Sequence, residues 1–456
     1  MMKKEALVEL AAKAADAARA AGADAADAYL TRGRRMSVDV YQGEPELFES
    51  AETAGAGIRA FRQGRLGYSY TTDLSEEGLA AAARVAYQNA AASDPDEFNG
   101  LPVTADSIMP DVDLDLTSEE YSRPTTAEKI AFALEVEKTA LATDSRVTGS
   151  ESVTYAEEEE TVALANTAGF AGVYDRQTCY SFADVMAEEK GEIQTGFSYA
   201  AGHSLAELDA AATGREAAER AVVMLGGSTA PSATLTAVFD PLVFVQLLTA
   251  IAPALNAEAA QKGRSFLASD VGRRVAAAAF TLVDDGHLPA GLGSAPFDDE
   301  GVATQTTPVF EDGVLKTLLF NSYAARTAGT VSTGNGRRGS FHSVPGTSPT
   351  NMFVKPGEPD RAAIIAGVET GIYVMGLQGL HAGVSPVTGQ FSAGAYGLRI
   401  KSGRLAEPIR EVTIASTCAA ILNNISAVGS DIRFVPMGAS FGSPTVAVDG
   451  IVLSGR

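Results

Sequence analysis

From Asp240 to Glu258 the chain reads DPLVFVQLLTAIAPALNAE, with no charged residue between its two acidic ends. A helix this apolar has no side to give to water, so the fold must enclose it in a core. Asp240 suits the N-cap and Pro241 the first turn, while Pro253 lacks a donor and clashes with the carbonyl of Thr249, so the helix should kink or end there. Pro241, Gln246, Pro253 and Asn256 interrupt the run, and its apolar part falls short of the ~20 residues a membrane-spanning helix needs. It reads as a buried segment.

The rest of the composition is that of a folded chain. Its 456 residues are 46% hydrophobic and 20% charged, enough for two large domains or three smaller ones. A net charge of −22 repels phosphate backbones and anionic lipid, which argues against nucleic acid and membranes as partners. Cys179 and Cys418 are the two cysteines, so no disulfide framework exists and a reducing, cytoplasmic setting fits. The N-terminus, MMKKEALVELAAKAADAARAAGA, spaces polar residues as an alanine-rich amphipathic helix does, unlike a signal peptide.

Along the chain, residues 1–100 read as helix, antiparallel strands, then a helix from about Ser75 to Ala92. Residues 101–124, rich in Pro, Asp and Ser, read as a connector. Residues 125–228 repeat the order, with helices at Thr126–Thr143 and Ser204–Leu225, the latter opened by a Ser204/Glu207 capping box. The shared order reads as a duplication of one unit. Glu157–Glu160 is expected at a solvated hairpin tip. Residues 232–456 are strand-rich and mostly antiparallel, with hairpins at Asp312-Gly313 and Asp449-Gly450. The fold class is α+β.

Motifs of catalysis are scarce. Gly334–Gly339, GNGRRG, has dinucleotide-fingerprint spacing, but no helix can begin after it, so a glycine-rich surface loop is expected. Gly438–Gly442, GASFG, imitates a nucleophile elbow yet precedes strands and no histidine. His203, His287, His342 and His381 include no pair at helical spacing. Asp284-Asp285-Gly286-His287 has the composition of a solvated turn, and both cysteines lack neighbours that would activate them.

The C-terminal half resembles the TldD/PmbA family. The residues that carry this are PFDDEGVATQTTPVFEDGVLKTLLFNSYAARTAG from Pro296, STGNGRRGSF from Ser332, TNMFVKPGE from Thr350, EPIREVTIASTCAAILNNISAVGSDI from Glu407 and the closing GSPTVAVDGIVLSG. The resemblance implies a zinc-dependent peptidase system of TldD/TldE pairs (TldE is also called PmbA), associated with microcin maturation, antitoxin turnover and modulation of DNA gyrase. In the TldD member it implies zinc held by a His-Glu-x-x-x-His helix and a downstream cysteine, the helix lying just before a GxS segment. Histidines five apart lie about 140° from each other on a regular helix, so such a site needs a broken turn. With Gly263-Arg264-Ser265 as the GxS, the motif falls on Thr249–Ala254, where Thr249, Ala250 and Ala254 replace the two histidines and the glutamate. No cysteine occurs near PMGASFGSPT.

The pattern resembles that of the TldE/PmbA partner, which implies no catalytic or metal-ligating residues in this chain. The resemblance thus implies a TldD-like subunit that supplies the zinc, an unfolded peptide as substrate, and Asn335, Arg337 and Arg338 as candidate peptide contacts or loop braces. Two alternatives stand beside it. One is a homodimeric binder of a peptide or a client such as gyrase; the other is an autonomous peptidase using Asp284, Asp285 and His287.

Overall fold

The computed structural model describes residues 3–103 and 112–455; part of the expected connector therefore lies outside the described residues. The N-terminal half runs α1 (Lys4–Ala20), β1 (Ala25–Tyr41), β2 (Glu44–Arg62), β3 (Arg65–Thr71), α2 (Glu76–Ala92), then α3 (Thr126–Thr143), β4 (Val147–Asn166), β5 (Ala171–Glu189), β6 (Glu192–Gly202) and α4 (Ala210–Val222). All six strands form one antiparallel sheet in the order β3-β2-β1-β4-β5-β6. The two helix–strands–helix units are thus joined edge to edge through β1 and β4.

The helices lie close because their inner faces are small. α1 buries Leu7, Ala11, Ala14, Ala15 and Ala18, one stripe at helical spacing. Glycines on the sheet complete the fit, and in the same way in both units. A methyl on Gly67 of β3 would lie 2.0 Å from the carbonyl oxygen of Ala86, and one on Gly196 of β6 would lie 2.2 Å from that of Ala217. Both obstacles are helix backbone. Gly67→Ala and Gly196→Ala should therefore each push a helix off the sheet, at a cost of about 1–3 kcal/mol in denaturant titrations.

Local signals place several boundaries. Ser75 caps α2 by accepting from Gly78 N, and Thr125 with Glu128 forms a capping box on α3. The Ser204/Glu207 pair does not start a helix. Glu207 instead accepts from the Ser204 hydroxyl (2.8 Å) and from His203 N (3.1 Å), closing a short 3-10 turn. α4 starts after Asp209, which caps Ala212 N. Glu157–Glu160 is not a hairpin tip either. It lies mid-strand in β4, with Glu157 paired to Lys129 of α3 (2.5 Å) and Glu160 to Arg176 of β5.

The C-terminal part contains β7 (Ala233–Phe239), α5 (Pro241–Ile251), β8 (Leu282–Asp285), β9 (Thr306–Glu311), β10 (Val314–Leu315), β11 (Gly336–Arg337), β12 (Gly346–Thr347) and β13 (Asn351–Val354). It continues through β14 (Thr370–Gln378), β15 (Gln390–Lys401), β16 (Arg404–Thr417), β17 (Ile425–Val428), β18 (Arg433–Pro436), β19 (Ser440–Ser443) and β20 (Val446–Ser454). Strands β16-β15-β14-β7-β20 close into a five-stranded barrel through a β16–β20 pairing. A second sheet runs β10-β9-β8-β13-β19-β18. Asp312-Gly313 makes the β9–β10 hairpin as expected. Asp449-Gly450 does not turn the chain: it is a bulge inside β20, where the register against β7 shifts between Val448 and Ile451.

α5 packs against β14 of the barrel and against β18 and β19 of the second sheet, which accounts for its apolar character on every side. Phe244, Leu247 and Ile251 share one core with Ile372, Val374 and Val446. Among the described residues no helix is long and apolar enough to cross a membrane.

The two parts meet through aromatic rings seated on glycines of the N-terminal sheet. A methyl on Gly55 would lie 2.2 Å from the Phe341 ring, and one on Gly172 would lie 2.6 Å from that of Phe297. A buried ion cluster adjoins them. Arg59 of β2 donates to Asp27 of β1 (2.5 Å) and to Glu300 (2.9 Å), and Arg338 reaches Asp27 at 3.2 Å.

Candidate functional site

Asp240 fixes the start of α5 by accepting from Leu242 N at 3.0 Å. Buried, it also takes Arg220 (2.8 Å) and the Tyr373 hydroxyl (2.6 Å). Burial alone would raise its pKa, but these two donors outweigh that and hold it below the usual carboxylate range. At the other end the α-helix stops at Ile251, and Ala252–Leu255 continues as a 3-10 turn containing Pro253. Ser265 of the GxS segment donates to the carbonyl of Ala254 at 2.6 Å, tying that segment to the end of the broken turn.

This turn lines a cleft of about 310 Å³. Its opposite wall is Met437–Ala439, the loop in which the family resemblance implies a cysteine. The Thr249 hydroxyl donates to Val245 O (2.9 Å) and lies 3.9 Å from the Met437 sulfur. The fold thus brings together two positions, far apart in sequence, at which the resemblance implies zinc ligands. Their side chains do not fit the metal. A hydroxyl already donating along its own helix, the methyls of Ala250 and Ala254, and a thioether offer no imidazole, carboxylate or thiolate. Ala254 is moreover buried in the core. Among the described residues no group of three or more His, Cys, Asp and Glu side chains is placed to hold a metal ion.

A larger cleft of about 990 Å³ shares Pro349, Gly438 and Ala439 with the first. It lies between the N-terminal sheet, at Glu52–Ala54 and Arg176, and the C-terminal part, at Arg337, Arg338 and Ser440. The three candidate peptide contacts separate here. Asn335 is fully buried: it donates to Asp284 (2.7 Å) and Ser348 O (3.0 Å) and accepts from Thr333 (2.6 Å). It braces the loop. Arg338 lines the cleft but spends its guanidinium on Asp27 and the Asp299 carbonyl, beneath the Tyr29 ring. Arg337 also lines the cleft, with one hydrogen bond, to Gly293 O at 2.8 Å. GNGRRG is therefore no surface loop; Gly336 and Arg338 are clamped through their backbone N–H groups to Asp298 and Asp299.

Asp284, Asp285 and His287 line neither cleft. The expected turn is confined to Gly286 and His287 and is not solvated: Asp284 and Asp285 end β8, a central strand, so Asp284 is buried. It accepts from Asn335 and from Thr350 N (2.8 Å), while Asp285 accepts from Thr306 (2.7 Å) and His287 N. Burial pushes the Asp284 carboxyl up to about 6, against the pull of Asn335 and Thr350. The folded state thus holds this proton more tightly than the unfolded chain, whose aspartates titrate near ~3.9. Its stabilising contribution is complete below that value and is lost as pH rises through about 6, by up to roughly 3 kcal/mol. In urea titrations from about pH 4 to about pH 7, Asp284→Asn should lack this component of the slope, visible as a difference between the two proteins.

The interdomain cleft thus runs to a broken helical turn on which, among the described residues, no side chain can ligate a metal. Residues 26–90 match the PmbA/TldA metallopeptidase domain 1, residues 119–225 the central domain and residues 232–455 the C-terminal domain. The chain belongs to the PmbA/TldD metallopeptidase family, as a PmbA/TldE-like member. It is 28% identical to metalloprotease PmbA of Escherichia coli O157:H7 over 90% of this chain and 88% of that one. A candidate modulator of DNA gyrase from Bacteroides thetaiotaomicron superposes with a TM-score of 0.89 at 26% identity, covering 100% of both chains. TldE from Thermococcus kodakarensis shares the fold, with a TM-score of 0.86 at 21% identity over 99% of each chain.

Proposed function

We propose that this chain is the non-catalytic subunit of a TldD/TldE-type zinc metallopeptidase, enclosing and positioning an unfolded peptide while a TldD-like partner carries the zinc. The observation that supports this most is the pairing of Thr249 with Met437 across the smaller cleft. The cleft is built at the place where the resemblance puts a metal, and the side chains there cannot ligate one. The larger cleft adds a place for extended chain. β3 pairs only Ala56–Arg62 of β2, so the Glu52–Ala54 edge at the cleft wall offers main-chain groups for strand addition. We place the protein in the cytoplasm, where buried Cys179 and Cys418 remain thiols.

Metal analysis tests the reading. The chain purified alone should hold no stoichiometric zinc, and its complex with a TldD-like subunit should hold one zinc per pair. One zinc per chain in the protein alone would refute it. The gyrase-modulator descriptions of similar structures favour a second reading, a homodimer that sequesters a client. A stable self-dimer that captures gyrase, and ignores a TldD-like chain, would select that one.

A further inference from the structure

We propose that Arg337 forms, with the hydroxyls of Ser440 and Thr350, a subsite in the larger cleft that anchors a carboxylate of the bound peptide. The proposal rests on the peptide-holding reading above and specifies what the cleft recognises.

Arg337 is held on a stiff mount. It lies in β11, paired to β12, and its neighbours Gly336 and Arg338 are clamped to Asp298 (2.7 Å) and Asp299 (2.6 Å) through their backbone N–H groups. Its guanidinium has five N–H groups and makes one hydrogen bond, to Gly293 O. The other cleft arginines have acid partners: Arg176 has Glu160 and Arg338 has Asp27. Arg337 joins no ion pair among the described residues. Two hydroxyls lie along the same wall. Gly293 packs so tightly on Thr350 that a methyl there would lie 2.2 Å from the Thr350 carbonyl oxygen, and Ser440 N donates to that carbonyl at 2.9 Å. Ser440 and Thr350 are each 2% exposed, and neither hydroxyl has a hydrogen-bond partner, although that of Thr350 is near enough to Asp284 to act on its ionisation. A guanidinium fork with free donors, lining the same cleft as the two hydroxyls, matches a carboxylate. Glu52, Glu158 and Asp299 on the surrounding walls disfavour a dianion such as phosphate more strongly than a singly charged carboxylate.

The carboxylate can be the peptide's C-terminus or an acidic side chain, and one experiment separates them. A short unstructured peptide labelled at its N-terminus is prepared as the free acid, as the C-terminal amide, and as the amide with one internal glutamate. Binding is measured by fluorescence anisotropy to the full chain, alone and mixed with a TldD-like subunit. At least one carboxylate form should bind roughly 10- to 100-fold more tightly than the plain amide. Arg337→Gln should abolish that advantage and leave the amide's affinity unchanged, Arg337→Lys should keep part of it, and Ser440→Ala should reduce it. Equal binding of all three forms overturns the subsite while leaving the peptide-holding role intact. Equal weakening of all three by Arg337→Gln also overturns it, since that marks a structural role. Failure of every form to bind either preparation overturns the peptide-holding reading, and the subsite with it.

Discussion

Arg59→Ala should lower the stability of the folded chain by about 3–5 kcal/mol, the range found when one partner of a buried ion pair is removed. Arg59 pairs with carboxylates on both sides of the interdomain joint, Asp27 at 2.5 Å and Glu300 at 2.9 Å. Its removal leaves buried Glu300 without a cation and buried Asp27 with Arg338 alone. Asp298, next in sequence to the same cluster, is already held above the ordinary carboxylate range by burial and then by Glu300, so the region cannot absorb more unpaired negative charge. Separate denaturation probes for the two halves should show the joint failing first. An Arg59→Ala protein as stable as the parent would show that the cluster is hydrated and does not hold the parts together.

Asp240→Ala should cost a similar amount, about 3–5 kcal/mol, for a different reason. The substitution removes the cap of α5 and leaves Arg220 and the Tyr373 hydroxyl without their shared acceptor. Because Asp240 titrates below its unfolded value, its contribution is present above that value and is lost as pH falls through the folded pKa. That sign is opposite to that of Asp284. The stability gap between the parent and Asp240→Asn in denaturant titrations should therefore narrow from about pH 7 to about pH 3. The consequence for function is positional, since α5 carries Thr249 to the cleft.

What the sequence revealed follows the range of the interactions involved. The cap at Asp240, the break at Pro253 and the stripe on α1 are set by residues within a turn or two, and all are legible. The burial of GNGRRG depends on Asp298, Asp299 and Asp284, some forty to fifty residues away, which the glycine spacing does not encode. Likewise Glu157 and Glu160 look like a solvated run because Lys129 and Arg176 reach them from other elements. Asp449-Gly450 has the composition of a hairpin turn, but the pairing of β20 with β7 on either side of it makes it a bulge. At the candidate site, Thr249, Ala250 and Ala254 stand out only because the family resemblance implies ligands at their positions. That Met437 faces Thr249, and that Arg337 is left without an acid while Arg338 is not, emerges only in three dimensions.

The most direct test of the central claim is the rate of hydrolysis of an unstructured peptide while this chain is titrated into a TldD-like subunit at fixed zinc. This chain alone should cleave nothing, and the rate should rise to a plateau at one chain per TldD-like subunit. Cleavage that scales with this chain in the absence of any partner would contradict that claim.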